Sequence, residues 1–259
     1  MDSHTRIRKR TAAVAACRAG GEPGVAELVK PYATVVRARR RQQLPLSLER
    51  SEMVYVVRSG LLALHAALPG RRRLILGVLY PGDVFRAAFA PAMTGVELMA
   101  ATASDVLRLG WGTVERLLRA ETEIGRVLCN RLSPQQARFA LRVVTIGSLT
   151  SEERVAAFLI ELGLRLGTPT PGGIAFDVPL ARADVAAYLA LNPDTLSRHM
   201  SRLREKGVLE QWGRGRIVIR DWAALVRDCP VGEALQALHG KPEAIQPRGP
   251  DGGANAGAA

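Results

Sequence analysis

Five polar residues recur at helical spacing in the C-terminal third of the chain. Asp194, Ser197, Arg198, Ser201 and Arg202 fall at i, i+3, i+4, i+7 and i+8, while Leu196, Met200 and Leu203 share the opposite face. One face packs; the other offers hydrogen-bonding groups. A helix held on a scaffold with its arginines outward has the width and the donors that the major groove of a duplex admits. The same spacing also fits an ordinary amphipathic surface helix, so the flanking elements decide between the two.

Those elements form a frame around it. The stretch Val178 to Leu203 reads as two short helices joined by a tight turn, with Asn192 able to cap the second helix and Pro193 at its first position. Behind it, G-V-L-E-Q-W-G-R-G-R-I-V-I reads as two small strands around a Gly213 to Gly215 turn, and Asp221 caps a last helix, W-A-A-L-V-R. A helix-turn-helix followed at once by a hairpin is a winged helix. Its wing carries Arg214 and Arg216, which with Arg182, Ser201 and Arg202 are suited to phosphate contacts. Ahead of it, Thr150-Ser151-Glu152-Glu153 is a capping box that opens the helix R-V-A-A-F-L-I-E-L-G-L-R-L, closed by Gly167 and Pro169; G-T-P-T-P-G-G is expected to be a loop. His199 is expected to be half-buried filling between the packed face and the rim.

From Met53 to Leu109 the pattern changes to short apolar stretches broken by Ser59-Gly60, Pro69-Gly70 and Pro81-Gly82, which predicts an antiparallel β-barrel or roll. Its P-G-R-R-R segment reads as an exposed hairpin tip, and His65 as a strand histidine. After Trp111 an apolar seam at helical spacing runs to about Ile146, and a second subunit would cover it through Leu128, Leu132, Leu141 and Val144. Ser133-Pro134-Gln135-Gln136 also has the form of a capping box, so the helix either bends at Pro134 or restarts there; a bend is favoured. The expected α+β division is a basic flexible arm over 1–24, a roll over 25–111, a dimerisation helix over 112–148, a winged helix-turn-helix over 149–230 and a flexible tail over 231–259. Val25 to Arg40 fits a short helix or the start of a sheet, and the R-A-R-R-R run through Arg41 a solvated surface.

Composition narrows the class. In 259 residues the formal charge is +12, almost all of the excess being arginine, which favours a polyanionic partner; a coding bias toward arginine is the bland alternative. Cys17, Cys129 and Cys229 lie far apart, without the spacing of a zinc site or a disulfide framework. Cys129 is read as a buried inert thiol or, on the dimer helix, as a bridge formed on oxidation. No apolar run nears the roughly 20 residues a membrane span needs, so a cytoplasmic protein is expected. No G-x-S-x-G elbow, P-loop or H-E-x-x-H helix is present, and no enzyme is expected.

Three segments in order, G-R-R-R-L-I-L-G-V-L-Y-P-G-D-V-F, E-E-R-V-A-A-F-L and D-V-A-A-Y-L-A-L-N-P-D-T-L-S-R-H-M-S-R-L-R-E-K-G-V-L, resemble the Crp/Fnr superfamily of bacterial transcription regulators, nearest its Fnr and FixK branches. The resemblance covers roughly Tyr55 to Val226. It implies a cyclic-nucleotide-binding-like roll, a homodimer, and a palindrome of TTGAT-like half-sites with Asp194, Ser197 and Arg198 facing the bases; RNA polymerase is a partner if the protein activates. Arg198 can donate two hydrogen bonds to guanine, Ser197 can serve a base or a phosphate, and Asp194 can accept from a cytosine or adenine amino group. Asp194 replaces the usual glutamate and is one methylene shorter, so it either reaches a base or serves as a first-turn acid. Ala190 stands where glycine is common in the turn, and Ala181 where a capping threonine is common. At the family's cyclic-phosphate clamp, Leu98 and Met99 replace the arginine and its hydroxyl neighbour, so no cAMP binding is expected by that mode. An iron-sulfur cluster needs four cysteines where this chain has three, and His65 has no evident haem partner, so no cofactor is expected. A non-specific architectural DNA binder is the alternative function.

Overall fold

The computed structural model describes residues 24–68, 72–89, 95–212 and 215–239. The basic arm, the Pro69–Gly70 tip, Arg214, Cys17 and the segment after His239 lie outside them. A short helix, α1 (Val25–Val29), and a 3₁₀ turn at Lys30–Tyr32 lead into β1 (Thr34–Ala38), so the segment is both helix and sheet. The strands β2 (Gln43–Leu44), β3 (Ser47–Leu48), β4 (Ser51–Ser59), β5 (Leu62–Leu68), β6 (Arg72–Leu79), β7 (Val84–Arg86), β8 (Gly95–Ala100) and β9 (Ser104–Gly110) follow. They form two antiparallel sheets, in the orders β1-β9-β4-β3 with β7 also on β4, and β2-β8-β5-β6.

Alternation along β4 explains its near-continuous apolar run. Met53, Tyr55 and Val57 enter the core with Leu62, Leu64, Leu98 and Val106, whereas Val54 and Val56 face a second cluster with α1 and the helices after the roll. Both faces are buried from Met53 to Val57, so no charged residue interrupts that run. Tyr55 is fully buried and donates its hydroxyl to the Pro45 carbonyl at 2.6 Å; burial pushes its pKa up to about 12.

Two helices follow where one is expected over 112–148: α2 (Trp111–Ala120) ends at Glu121, whose backbone is extended, and α3 (Thr122–Ser148) begins beyond it. Pro134 lies inside α3, and no new helix starts there. Ser133 bonds back to the Cys129 carbonyl at 3.1 Å instead of capping, and Gln135 is committed elsewhere.

The chain then forms α4 (Ser151–Leu166), β10 (Thr168–Thr170), β11 (Gly173–Asp177), α5 (Arg182–Tyr188), α6 (Pro193–Glu205), β12 (Leu209–Trp212), β13 (Arg216–Ile219), α7 (Trp222–Arg227) and α8 (Gly232–His239). The capping box at Thr150 is complete, with Glu153 accepting from the Thr150 amide at 2.8 Å. Two expectations are corrected here. The G-T-P-T-P-G-G segment is part of a hairpin, because I-A-F after Gly173 is a buried strand and Pro169 sits on the edge strand β10, where a missing amide is tolerated. The tail expected from residue 231 carries α8, whose Leu235 is buried and which packs on α4. Residues divide into two compact units, one running up to Ala140 and including Pro179–Ala190, the other comprising Leu141–Val178 and the described residues from Leu191 on. Among the described residues, no helix is long and apolar enough to cross a membrane.

Candidate nucleic-acid interface

Helix α6 is fixed at its start and along one face. Asn192 accepts from the Asp194 amide at 2.9 Å with Pro193 at the first helical position, and Leu196, His199 and Leu203 are buried as α6 packs on α4 and β12. His199 is 8% exposed, deeper than the half-buried place expected for it. Its Nε2 meets Ser151 Oγ at 2.8 Å, joining α6 to the first turn of α4, while its Nδ1 is buried with no hydrogen-bond partner. Burial holds its pKa below the usual imidazole value, against Glu152, which raises it, and with Arg202 and Arg198, which lower it. Ser151 and His199 are 48 residues apart, so their pairing left no signal at short range in the sequence.

The opposite face is open. Asp194, Arg198 and Arg202 are exposed, and Ser197 and Ser201 half-buried. Ser197 Oγ donates to the Pro193 carbonyl at 2.7 Å, Arg198 Nη2 to Thr195 Oγ1 at 3.2 Å, and Arg204 Nη2 to Ser201 Oγ at 2.7 Å. Thr195 and Arg204 thus belong to this surface, although the sequence pattern did not single them out. Five N–H donors on a guanidinium leave Arg198 able to hold Thr195 and still present a fork. Arg216 is exposed at the start of β13, Arg182 is exposed at the first position of α5 in the other compact unit, and Arg214 is outside the described residues. Between α5 and α6 the turn passes through Ala190 at φ 52°, a left-handed conformation, and Ala181 gives α5 no side-chain cap.

In the first unit, the Pro81-Gly82-Asp83 turn is tied to α3. Asp83 is fully buried and receives the Tyr80 amide at 2.9 Å, Arg131 Nη2 at 3.3 Å and Arg138 Nη2. Arg131 Nε also donates to the Gly82 carbonyl at 2.8 Å. Between the two arginines, the Gln135 side chain pairs with both backbone groups of Val84, at 3.0 and 2.7 Å. Two turns of helix separate Arg131 from Arg138, so all three side chains leave one face of α3. Beside them lies an apolar cavity of about 260 Å³ lined by Leu64, Leu76, Phe85, Leu132 and Phe139 together with Gln135 and Gln136. Leu98 is fully buried in β8 and Met99 half-buried, so neither offers an anion a donor. His65 is half-buried in β5, opposite Glu97.

Of the expected seam residues, Leu128 and Leu132 are half-buried and pack against the cluster that Val54 and Val56 share with α1 and α2. Leu141 is half-buried and Val144 is 47% exposed. Cys129 is exposed, not the buried thiol expected, and with Ser133, Gln136, Ala140, Val143 and Gly147 it forms a series of exposed residues at alternating spacings of four and three, with Val143 72% exposed. Buried Cys229 has its thiol pushed up by desolvation, as a structural cysteine does.

Residues 153–227 match the family described as the Crp-like helix-turn-helix domain. The chain is 29% identical over 168 residues to a probable transcriptional activator of Rhizobium leguminosarum bv. viciae, covering 65% of this chain and 70% of that protein. To the nitrogen fixation regulation protein FixK of Azorhizobium caulinodans it is 27% identical, over 68% and 71% of the two chains. Among solved structures, FixK2 from Bradyrhizobium japonicum superposes with a TM-score of 0.65 at 27% identity, covering 76% of this chain and 97% of that one.

Proposed function

The chain belongs to the Crp/Fnr superfamily of DNA-binding transcription regulators, near its Fnr and FixK branches, and from that premise we propose that it acts as a cytoplasmic homodimer that reads a palindrome of TTGAT-like half-sites without cAMP. The observation that carries the reading is the division of α6, whose buried Leu196, His199 and Leu203 hold Asp194 and Arg198 outward. In this reading Arg198 takes guanine O6 and N7, Ser197 turns its hydroxyl from Pro193 to a base or phosphate, and Asp194 accepts from an amino group. Ser201, Arg202, Arg216, Arg182 and Arg214 take phosphates. Selection of bound duplexes from a random pool supplies the operator. Titration of that duplex against a scrambled one then tests the reading: specific recognition leaves a gap of at least ~10³ in affinity. Phosphate-only binding, the mark of an architectural protein, leaves almost no gap and falls steeply with salt.

Independence from cAMP is supported by the lock on Asp83. Arg131, Gln135 and Arg138 hold α3 to the roll with groups the chain itself provides, while the clamp positions carry Leu98 and Met99. Cyclic AMP at millimolar concentration is expected to leave the melting temperature and operator affinity unchanged; a rise in either would overturn this part. RNA polymerase is the partner if the bound dimer activates.

A further inference from the structure

At one end of the roll, strand register gathers arginines with little to neutralise them. Arg37 on β1 stands opposite Asp105 on β9, which stands opposite Ser59 on β4, next to Arg58. From Ala38 the chain passes directly into Arg39, Arg40 and Arg41. All five guanidinium side chains are exposed. Asp105 lies 3.9 Å from Arg37, whose side chain is 88% exposed, so this ion pair neutralises little in high dielectric. No carboxylate occurs between Thr34 and Leu48.

The arginine turn is also held in place. The Arg41 amide donates to the Ala100 carbonyl at 2.7 Å, the Ala100 amide to the Gln42 carbonyl at 2.9 Å, and the Arg39 amide to Gln42 Oε1 at 2.9 Å. Arg41 sits at φ 67°, a conformation that costs a side-chain-bearing residue about 1 kcal/mol. Like charges are therefore presented side by side from a pinned backbone, an arrangement that a polyanion relieves and that water alone only screens.

We infer that Arg37, Arg39, Arg40, Arg41 and Arg58 form a second phosphate-binding surface that takes DNA backbone outside the operator. This rests on the reading of α6 as the operator-reading helix. Duplex is the favoured partner because guanidinium forks match the phosphate oxygens that a DNA backbone presents in regular succession. Neutralising three phosphates adds about 2.7 to the slope of log affinity against log salt, roughly a 40-fold change between 50 and 200 mM.

The test compares full-length protein on a short operator duplex and on the same operator with long flanks, for the natural chain and for the triple variant Arg39→Gln, Arg40→Gln, Arg41→Gln. The natural chain gains affinity and salt slope with length, and the variant loses that gain while keeping its affinity for the short duplex. An equal gain in both proteins overturns the inference. So does a variant that binds every duplex normally but loses activated transcription with purified polymerase, which would assign the surface to an acidic protein segment. Failure of the natural chain to prefer its short operator over a scrambled one would instead sink the reading of α6, and the two failures are distinguishable.

Discussion

Arg198 is exposed on α6 with one donor on Thr195, so its removal tests base reading without disturbing the packed face. Arg198→Ala is expected to cost about 1 to 3 kcal/mol of operator binding and to relax preference at one base pair. Competition among single-base variants of the operator checks this; uniform weakening on every duplex would mean that Arg198 holds phosphate. His199 yields a pH prediction. Its folded pKa lies below the ordinary value, so the unfolded chain binds the proton more readily, and the stability it contributes is complete above the unfolded pKa, near 6.5. That stability falls away as pH drops through the folded value. Melting temperatures at pH 7.5 and 5.5 should therefore fall further for the natural chain than for His199→Gln, which keeps a polar group toward Ser151 but cannot be protonated. Parallel losses would assign the acid sensitivity elsewhere.

The turn between α5 and α6 is not optimised in sequence. Ala190 holds φ 52° with a Cβ that this region penalises. Ala190→Gly is expected to change stability only modestly, because relief of about 1 kcal/mol of strain slightly exceeds the entropy a glycine adds to the unfolded chain. The expected sign is a small rise in melting temperature, and a fall would show that the alanine methyl packs usefully. Helix α3 shows how tertiary contact overrides a local signal. Ser133-Pro134-Gln135-Gln136 has the residues of a helix start, yet Gln135 is more strongly engaged by the backbone of Val84 and the helix runs through. Similarly, β10 is hidden in a Gly- and Pro-rich stretch, because a strand this short forms only when β11, itself paired with β13, is there to receive it.

At the scale of the whole molecule, in the homodimer we propose, the second copy covers the exposed stripe from Cys129 to Gly147 on α3. Its alternating spacing of four and three is the repeat that keeps one helix face against another, and its small residues permit close approach. Ala140→Glu places a charge at the centre of that stripe and is expected to convert dimer to monomer in sedimentation, with loss of high-affinity operator binding. A variant that sediments as a dimer would move the interface elsewhere.

The sequence by itself determined the order of parts, the caps at Thr150, Asn192 and Asp221, and the two faces of α6. Each depends on residues within a few positions of one another, where periodicity and capping chemistry act. It also indicated an antiparallel roll, from apolar runs separated by turn dipeptides. Only the tertiary structure decided that Leu128 and Leu132 pack on the roll, that His199 is buried against Ser151, and that Asp83 gathers Arg131 and Arg138. Those outcomes depend on which distant surface fills the space beside each residue, and neither a helical spacing nor a strand alternation encodes that neighbour.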